Sequence, residues 1–219
     1  MRTEKRLVFF DLDGTISKRD TYKEILLFGL YYRPIRLIYI PLSFYDYTMF
    51  IFGFYSNTIV KERLLKRVFG GIGSDTLQRV VVSYIKYFLK NNLKKNAVKS
   101  IQMHKANNDY VVLVTASFDF YVREIGRILG FDQVICTVTK KNKSHLTGSI
   151  DGNNCYSKNK VKAIKKEIKV DRFESIVCYT DHHSDIPLIK FCDTVYLVDP
   201  TKRLEQNQEF NKAGVLKWK

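Results

Sequence analysis

Two pairs of aspartates, separated by most of the chain, carry the chemistry of this sequence. Asp11-Leu12-Asp13-Gly14-Thr15 follows one short apolar run, and Thr180-Asp181-His182-His183-Ser184-Asp185 follows another. On an extended segment, carboxylates two residues apart project to the same side. Thr115-Ala116-Ser117 ends a third apolar run, and Lys160 opens a helical stretch after Asn154-Cys155-Tyr156-Ser157-Lys158-Asn159. Acidic groups gathered from two strand ends repel one another unless a cation lies between them. Oxygen donors select a hard ion, magnesium first. Each residue also has a plainer role open to it: Asp13-Gly14 as a turn, Thr115 as a buried strand-end hydroxyl, Lys160 as one lysine among many, Asp185 as a helix N-cap. His182 and His183 invite a transition-metal site or a histidine nucleophile. Adjacent histidines diverge, however, and the groups around them are carboxylates, so both are expected to shape the loop or line the entrance.

The elements that must position these groups are visible as apolar runs. LVFF (7–10), VVLV (111–114), SIVCY (175–179) and TVYLV (194–198) are each bounded by polar or turn residues, with helical stretches between the last three. That pattern predicts a doubly wound α/β fold, a parallel sheet covered on both faces, whose ligands bind at the carboxyl ends of the strands. QVICTV (133–138) predicts a further strand, and KKNKSHLTGSIDG after it predicts a hairpin at the sheet edge. Residues 11–110, between the first and second runs, far exceed one crossover helix, so a helical module is inserted there. Its first half, YKEILLFGLYYRPIRLIYIPLSFYDYTMFIFGFY, is strongly aromatic. Its second half, from Asn57 to about Asn96, reads as two amphipathic helices broken at GGIGSD, where Ser74 or Asp75 supplies an N-cap. A membrane span needs about 20 apolar residues, and Arg33, Pro34, Arg36, Pro41 and Asp46 interrupt every such window. Two roles stay open for the aromatic half: packing inward, or an interfacial surface with Tyr and flanking Arg at a headgroup boundary.

Composition sets outer bounds. With 219 residues, 45% apolar and 14% aromatic, the chain fits one domain plus an insert and is neither disordered nor fibrous. Four single cysteines without a CxxC pair point to a reducing, cytosolic compartment, and MRTEKRLVFF lacks the long apolar region of a signal peptide. The net charge of +15 suits an anionic partner such as a phosphorylated substrate, an acidic membrane or nucleic acid. Much of that excess is lysine on helical stretches (Lys86, Lys90, Lys94, Lys95, Lys99 and others), which read as solvated faces.

In order and spacing the motifs resemble those of the haloacid dehalogenase superfamily, in its phosphoserine-phosphatase-like subclass IB. DLDGT matches the first motif, Thr115 the second, Lys160 the third, and Asp181 with Asp185 the fourth. LTGSIDGNNCYSKNK and SDIPLIKFCDTVYLVDP extend the similarity over almost the whole chain. One departure is that Thr180 and His182 flank Asp181 where the subclass commonly carries glycine and a small residue. The resemblance implies a Rossmann-like core of residues 1–16 and 97–219 and a helical cap of residues 17–96. It implies a magnesium-dependent phosphomonoester hydrolase in which Asp11 is the nucleophile and Asp13 the general acid and base. Mg2+ would be held by Asp11, by the backbone carbonyl of Asp13 and by Asp181, with Asp185 supporting the metal or orienting Lys160, while Thr115 and Lys160 hold the phosphoryl oxygens. Asp20 falls where the subclass carries an acidic residue suited to a substrate amine, and otherwise reads as an N-cap; Arg63 or Arg67 would receive a substrate carboxylate. RPIRLIYIPL resembles a segment of phosphatidylglycerophosphatases of the same subclass, which sets a lipid phosphate beside a small soluble phosphomonoester as substrate. A phosphotransferase using Asp11, or a non-catalytic module binding anionic surfaces, are further readings, and the last needs neither carboxylate pair. The expected location is cytoplasmic, with peripheral contact at the inner face of an anionic membrane in the lipid reading. Nucleic acid is not an expected partner, and the sequence leaves the oligomeric state open.

Overall fold

The computed structural model describes residues 6–143, 145–210 and 212–218. Residues 1–5, on which the absence of a signal peptide partly rests, lie outside the described residues. The strands are, in chain order, β1 (Arg6–Phe10), β2 (Ile72–Gly73), β3 (Tyr110–Phe118), β4 (Gln133–Thr137), β5 (Thr139–Asn142), β6 (His145–Ile150), β7 (Ser175–Thr180), β8 (Thr194–Val198) and β9 (Gly214–Leu216). Six of them form one sheet in the order β4-β3-β1-β7-β8-β9, with every neighbouring pair parallel. The chain begins at the centre, builds outward through β3 and β4, then returns to the other side of β1 for β7. The strand order therefore reverses at β1, and the crevice at the carboxyl ends of β3, β1 and β7 is where a ligand is expected.

Alternation along each strand divides the core into two layers. Val8 and Phe10 point with Val111, Leu113 and Tyr179 into one cluster; Leu7 and Phe9 point with Val112, Val114 and Cys178 into the other. All are buried, each large apolar side chain stabilising the fold by ~1.5–3 kcal/mol relative to exposure. The major helices are α1 (Thr21–Tyr32), α2 (Ile40–Ile51), α3 (Asn57–Phe69), α4 (Ser74–Tyr87), α5 (Lys95–Ala106), α6 (Asp119–Leu129) and α7 (Lys158–Glu167). Ala97 and Ile101 of α5 and Val122 and Ile125 of α6 cover the first face, and Ile164 of α7 covers the second. Gly126 lets α6 approach β4, since a Cβ there would sit 2.3 Å from Val134 Cγ2.

One expectation is corrected. The hairpin β5–β6 does not lie on the edge of the large sheet; β6 pairs with β2 in a separate three-stranded antiparallel sheet. The hairpin packs on α3, where Ile150 N–H donates to Glu62 Oε1 at 2.8 Å and Gly148 passes so close that a Cβ would meet Lys66 Cα at 2.3 Å. The aromatic segment, for which an inward and an outward role both stood open, divides: Ile25, Phe28 and Tyr32 of α1 pack into the first cluster, and the part after α1 does not. From Ile35 to Phe54 its large apolar side chains are mostly exposed, and the only buried residue of α2 is Asp46. The exposed side holds Phe44, Tyr45 and Ile51, whereas Asp46 is held against α3 by Arg63 at 2.7 Å and Arg67 at 2.5 Å.

Candidate active site

β1 carries Asp11 to the rim of the sheet, where its N–H still donates to the Tyr179 carbonyl of β7 at 3.0 Å. The chain leaves the strand in a tight turn over Leu12–Ile16, with Gly14 at φ 85°. A Cβ at Gly14 would meet Asp181 Oδ2 at 2.2 Å, so glycine both permits the turn and lets its backbone touch the carboxylate beyond β7. The turn swings Asp13 toward β3. Its Oδ1 accepts from the N–H and the hydroxyl of Thr21, each at 2.6 Å, and its Oδ2 accepts from Ser117 Oγ at 2.7 Å.

Lys160 enters from the first turn of α7. Its Nζ donates to Asp11 Oδ1 at 2.6 Å and to Asp185 Oδ2 at 2.7 Å, bridging the rim ends of β1 and β7. Thr180 Oγ1 donates to the same Asp185 oxygen at 2.9 Å, so one of the two residues noted as departures holds one carboxylate of the second pair. Thr115 is fully buried within β3, where the register with β4 shifts between Val114 and Phe118, its Oγ1 accepting from Ser117 N–H at 3.1 Å. Asp11, Asp13, Thr115, Lys160, Asp181 and Asp185 all line one cavity of about 480 Å³. Helices α1, α2 and α3 contribute Lys23, Tyr47, Phe50 and Lys61 to its other walls, and Lys18 and Arg19 precede α1 at its edge.

The electrostatics follow from crowding. Burial raises the Asp11 carboxyl well above its usual range; Lys160 opposes this, and Asp185, Asp181 and Asp13 add to it. Asp13 is raised first by burial and then by Asp20, against the stabilising bonds from Thr21 and Ser117. Asp181 is pushed up to about 7 by burial and by Asp185, with Lys160 pulling the other way. Burial disfavours the charged amine of Lys160, yet Asp11 and Asp185 together raise its pKa, so it remains protonated. One lysine thus faces four carboxylates, and the remaining negative charge calls for a cation or protons.

The donor set fits a hard cation. Every candidate ligand is oxygen, Asp185 Oδ1 is buried without a hydrogen-bond partner, and Gly14 keeps the Asp13–Gly14 backbone against Asp181. Among the described residues, no three His, Cys, Asp or Glu side chains close around a common ion position. Lys160 accounts for part of that, since it spans Asp11 and Asp185, and the carboxylate of Asp13 is turned to Thr21 and Ser117. A metal would therefore lean on Asp11 and Asp181, with backbone oxygen completing the set.

The remaining expectations divide. Asp20 lines the cavity and also caps α1, accepting from Lys23 N–H at 3.0 Å. Arg63 does not line the cavity; it is committed to Asp46 and stacks 4.4 Å from the Tyr55 ring centroid, and Arg67 is likewise held by Asp46. The cation of α3 that does face the site is Lys61, which the sequence reading missed. It donates to the Ala116 carbonyl, lies 4.8 Å from the Phe118 ring centroid and has its pKa lowered by burial to about 8. The rings of His182 and His183 do not diverge but lie 4.1 Å apart; His182 Nδ1 accepts from Ser184 N–H at 3.1 Å, closing the turn. Lys94, read as part of a solvated face, is buried, bonded to the Gly14 carbonyl and to Asp199 Oδ2 at 2.9 Å. It ties the Asp13–Gly14 turn to the segment after β8.

Comparison with known proteins agrees with this fold. The sequence model of the haloacid dehalogenase-like hydrolases matches residues 8–190. Protein CicA of Caulobacter vibrioides is 25% identical over 203 residues, covering 88% of this chain and 86% of CicA. A Bordetella pertussis Tohama I protein of unknown function shares the fold with a TM-score of 0.87 at 21% identity, covering 98% of this chain and 99% of that one. A phosphoserine phosphatase carrying a phospho-aspartyl intermediate analogue gives a TM-score of 0.69 at 18% identity, over 99% of this chain and 94% of its own.

Proposed function

The chain belongs to the haloacid dehalogenase-like hydrolases, and within that family we propose that it hydrolyses phosphate monoesters through a phosphorylated Asp11. The observation that carries the reading is the Lys160 bridge between Asp11 and Asp185 beside an Asp13 held by Thr21 and Ser117, all at the floor of one cavity. A carboxylate oxygen of Asp11 attacks phosphorus and the ester P–O bond breaks. Asp13, whose raised pKa suits proton donation, protonates the departing alkoxide. As carboxylate it then takes a proton from water, whose oxygen attacks phosphorus and releases Asp11 and inorganic phosphate. Lys160 and Thr115 hold the phosphoryl oxygens. Asp11, Asp181 and the Asp13 carbonyl are the groups that would hold Mg2+, which would supply the positive charge that the phosphoryl group needs against the carboxylates.

Residues 17–96 serve as the cap in this reading. Through Lys23, Tyr47, Phe50 and Lys61 they set which alcohol portion enters, and the amines favour a leaving group that carries a further negative charge. Phosphoserine, the substrate class of the structurally similar phosphatase, is the first ester to test, with phosphatidylglycerophosphate beside it. Purified protein should release phosphate from one such ester, lose the activity in chelator and regain it with Mg2+. Calcium should not replace it, because its looser coordination misplaces the attacking carboxylate. Acid quenching should trap a phosphorylated protein absent from Asp11→Asn. Full activity in chelator, or a phosphorylated Asp11→Asn protein, overturns the reading; transfer of phosphate to added alcohol in preference to water would make it a phosphotransferase.

A further inference from the structure

Helix α2 is amphipathic in the sense opposite to that of a surface helix. Its inner side carries the charge: Asp46 is fully buried between Arg63 and Arg67, and Ser43 accepts from Arg67 at 3.2 Å. Its outer side, with the 3-10 turn Pro34–Tyr39 before it and the loop after it, is apolar. Ile35, Ile38, Phe44, Phe52 and Phe54 are 77%, 72%, 67%, 73% and 72% exposed. A helix that turns its ion pair toward the protein and its phenyl rings outward is built for an apolar neighbour. Between Pro34 and Thr58 the sole acidic residue is the buried Asp46, so this segment presents no carboxylate to its surroundings.

We propose that this face docks on the surface of an anionic phospholipid bilayer. Two observations choose lipid over a second copy of the chain. Each copy carries a net charge of +15, which opposes pairing of like faces and attracts the chain to an anionic surface. The patch is also continuous with the mouth of the active-site cavity: Tyr47 and Phe50 are exposed on α2 and line the cavity, as do exposed Lys18, Arg19 and Lys23, of which Arg19 pairs with Glu24 and Lys23 with Asp20. Among the described residues no helix is long and apolar enough to cross a membrane, so the attachment is interfacial, with rings entering the headgroup layer and amines above it. Docking in this pose sets the cavity mouth at the headgroups. If the phosphatase reading above holds, the ester it meets there is one carried by the bilayer.

The test is flotation of the purified full-length protein with vesicles of phosphatidylcholine alone and with added phosphatidylglycerol, at low and high salt. The parent should float with the anionic vesicles and less with neutral ones, and high salt should weaken that binding without abolishing it, because screening leaves apolar burial in place. Replacing Ile38, Phe44, Phe52 and Phe54 with Ser should lower anionic-vesicle affinity by at least about tenfold, since each ring or chain withdrawn forfeits apolar burial. The quadruple variant should keep the parent's melting temperature. Asp11→Asn should float like the parent, which separates docking from turnover: failure of hydrolysis with intact flotation strikes only the phosphatase reading. Docking is overturned if the parent does not float, if the quadruple variant floats equally well, or if binding disappears completely at high salt. It is also overturned if sedimentation velocity shows a parent dimer that the same variant dissociates while vesicle binding is absent.

Discussion

The rim of the sheet and the outer face of α2 break the ordinary rule of burial in opposite directions. At the rim, Asp11, Lys160 and Asp185 are charged and buried; on α2, Phe44 and Ile51 are apolar and exposed. The two departures obey different constraints. A buried charge without a partner costs several kcal/mol, so the rim had to be solved inside the chain, and the Lys160 bridge with the Thr21, Ser117 and Thr180 bonds is that solution. An exposed ring costs the folded chain little, so α2 can leave its outer face unpartnered and needs only Asp46 to hold its inner face. A substitution at the rim should therefore change chemistry or stability sharply, whereas one on the outer face of α2 should change neither.

The largest effect is expected at the nucleophile. Asp11→Asn should lower phosphomonoester turnover by about four orders of magnitude or more, as loss of a nucleophile does elsewhere. The melting temperature should hold or rise, because a carboxyl whose pKa burial already raises is replaced by a neutral group. Undiminished turnover would remove the rim from the chemistry altogether. Lys160→Met should come next, costing about 3–5 kcal/mol of stability near pH 8 because two buried carboxylates lose their counter-charge. The loss should shrink toward pH 5. Without the amine, Asp11 titrates still higher in the folded than in the unfolded chain, so stability is present at low pH and falls as pH rises. Urea unfolding at the two pH values checks this, and equal losses at both would mean that the bridge contributes packing instead of charge.

Asp46→Ala tests the other side of the contrast and should cost less, about 1–3 kcal/mol, since Arg63 is partly exposed and only Arg67 is well buried. Limited proteolysis should then cut between α1 and α3 first. If the variant is as stable and as resistant as the parent, α2 is held by something other than the ion pair.

What the sequence disclosed follows the same division. Continuous apolar runs such as LVFF and VVLV read directly as central strands, and aspartates, threonine and lysine at their ends read as a site, because strand ends in a doubly wound sheet converge by topology. Gly214–Leu216 is too short a run to read as a strand, and Ile72–Gly73 falls within the break GGIGSD between two helices, since pairing with a distant partner decides both. Lys94 stands in a run of lysines indistinguishable by spacing from its solvated neighbours; only the fold shows that it reaches Gly14 and Asp199. Thr21 and Ser117 became partners of Asp13 through the turn at Gly14, which no local pattern announces. For α2 the aromatic composition fitted either an inner or an outer face. The signal that separates them was Asp46, a lone acid in an apolar run, with Arg63 and Arg67 at helical spacing on the next helix to receive it.

The smallest expected effect lies where the two regions meet. Lys61 stands on α3, the helix that also supplies Arg63 and Arg67, but its amine turns to the cavity, donating to Ala116 and lying over Phe118. Burial lowers its pKa from 10.5 to about 8, against the pull of Asp13 and Asp20. Between those two values the unfolded chain binds a proton that the folded chain has given up. Stability therefore rises with pH from about 8 toward 10.5, and Lys61→Met should flatten that rise. The functional sign is opposite: if the charged amine receives an anionic part of the substrate, KM should climb above pH 8 while kcat changes little. In Lys61→Met, KM should already be high at pH 7, by about tenfold for one lost charged contact, and should no longer depend on pH in this range. Measuring KM and kcat for both proteins from pH 7 to 9.5, with unfolding on the same samples, separates the roles. A parent KM flat across that range would leave Lys61 as a packing group beneath the cap, and the contrast between rim and helix would then end at β3.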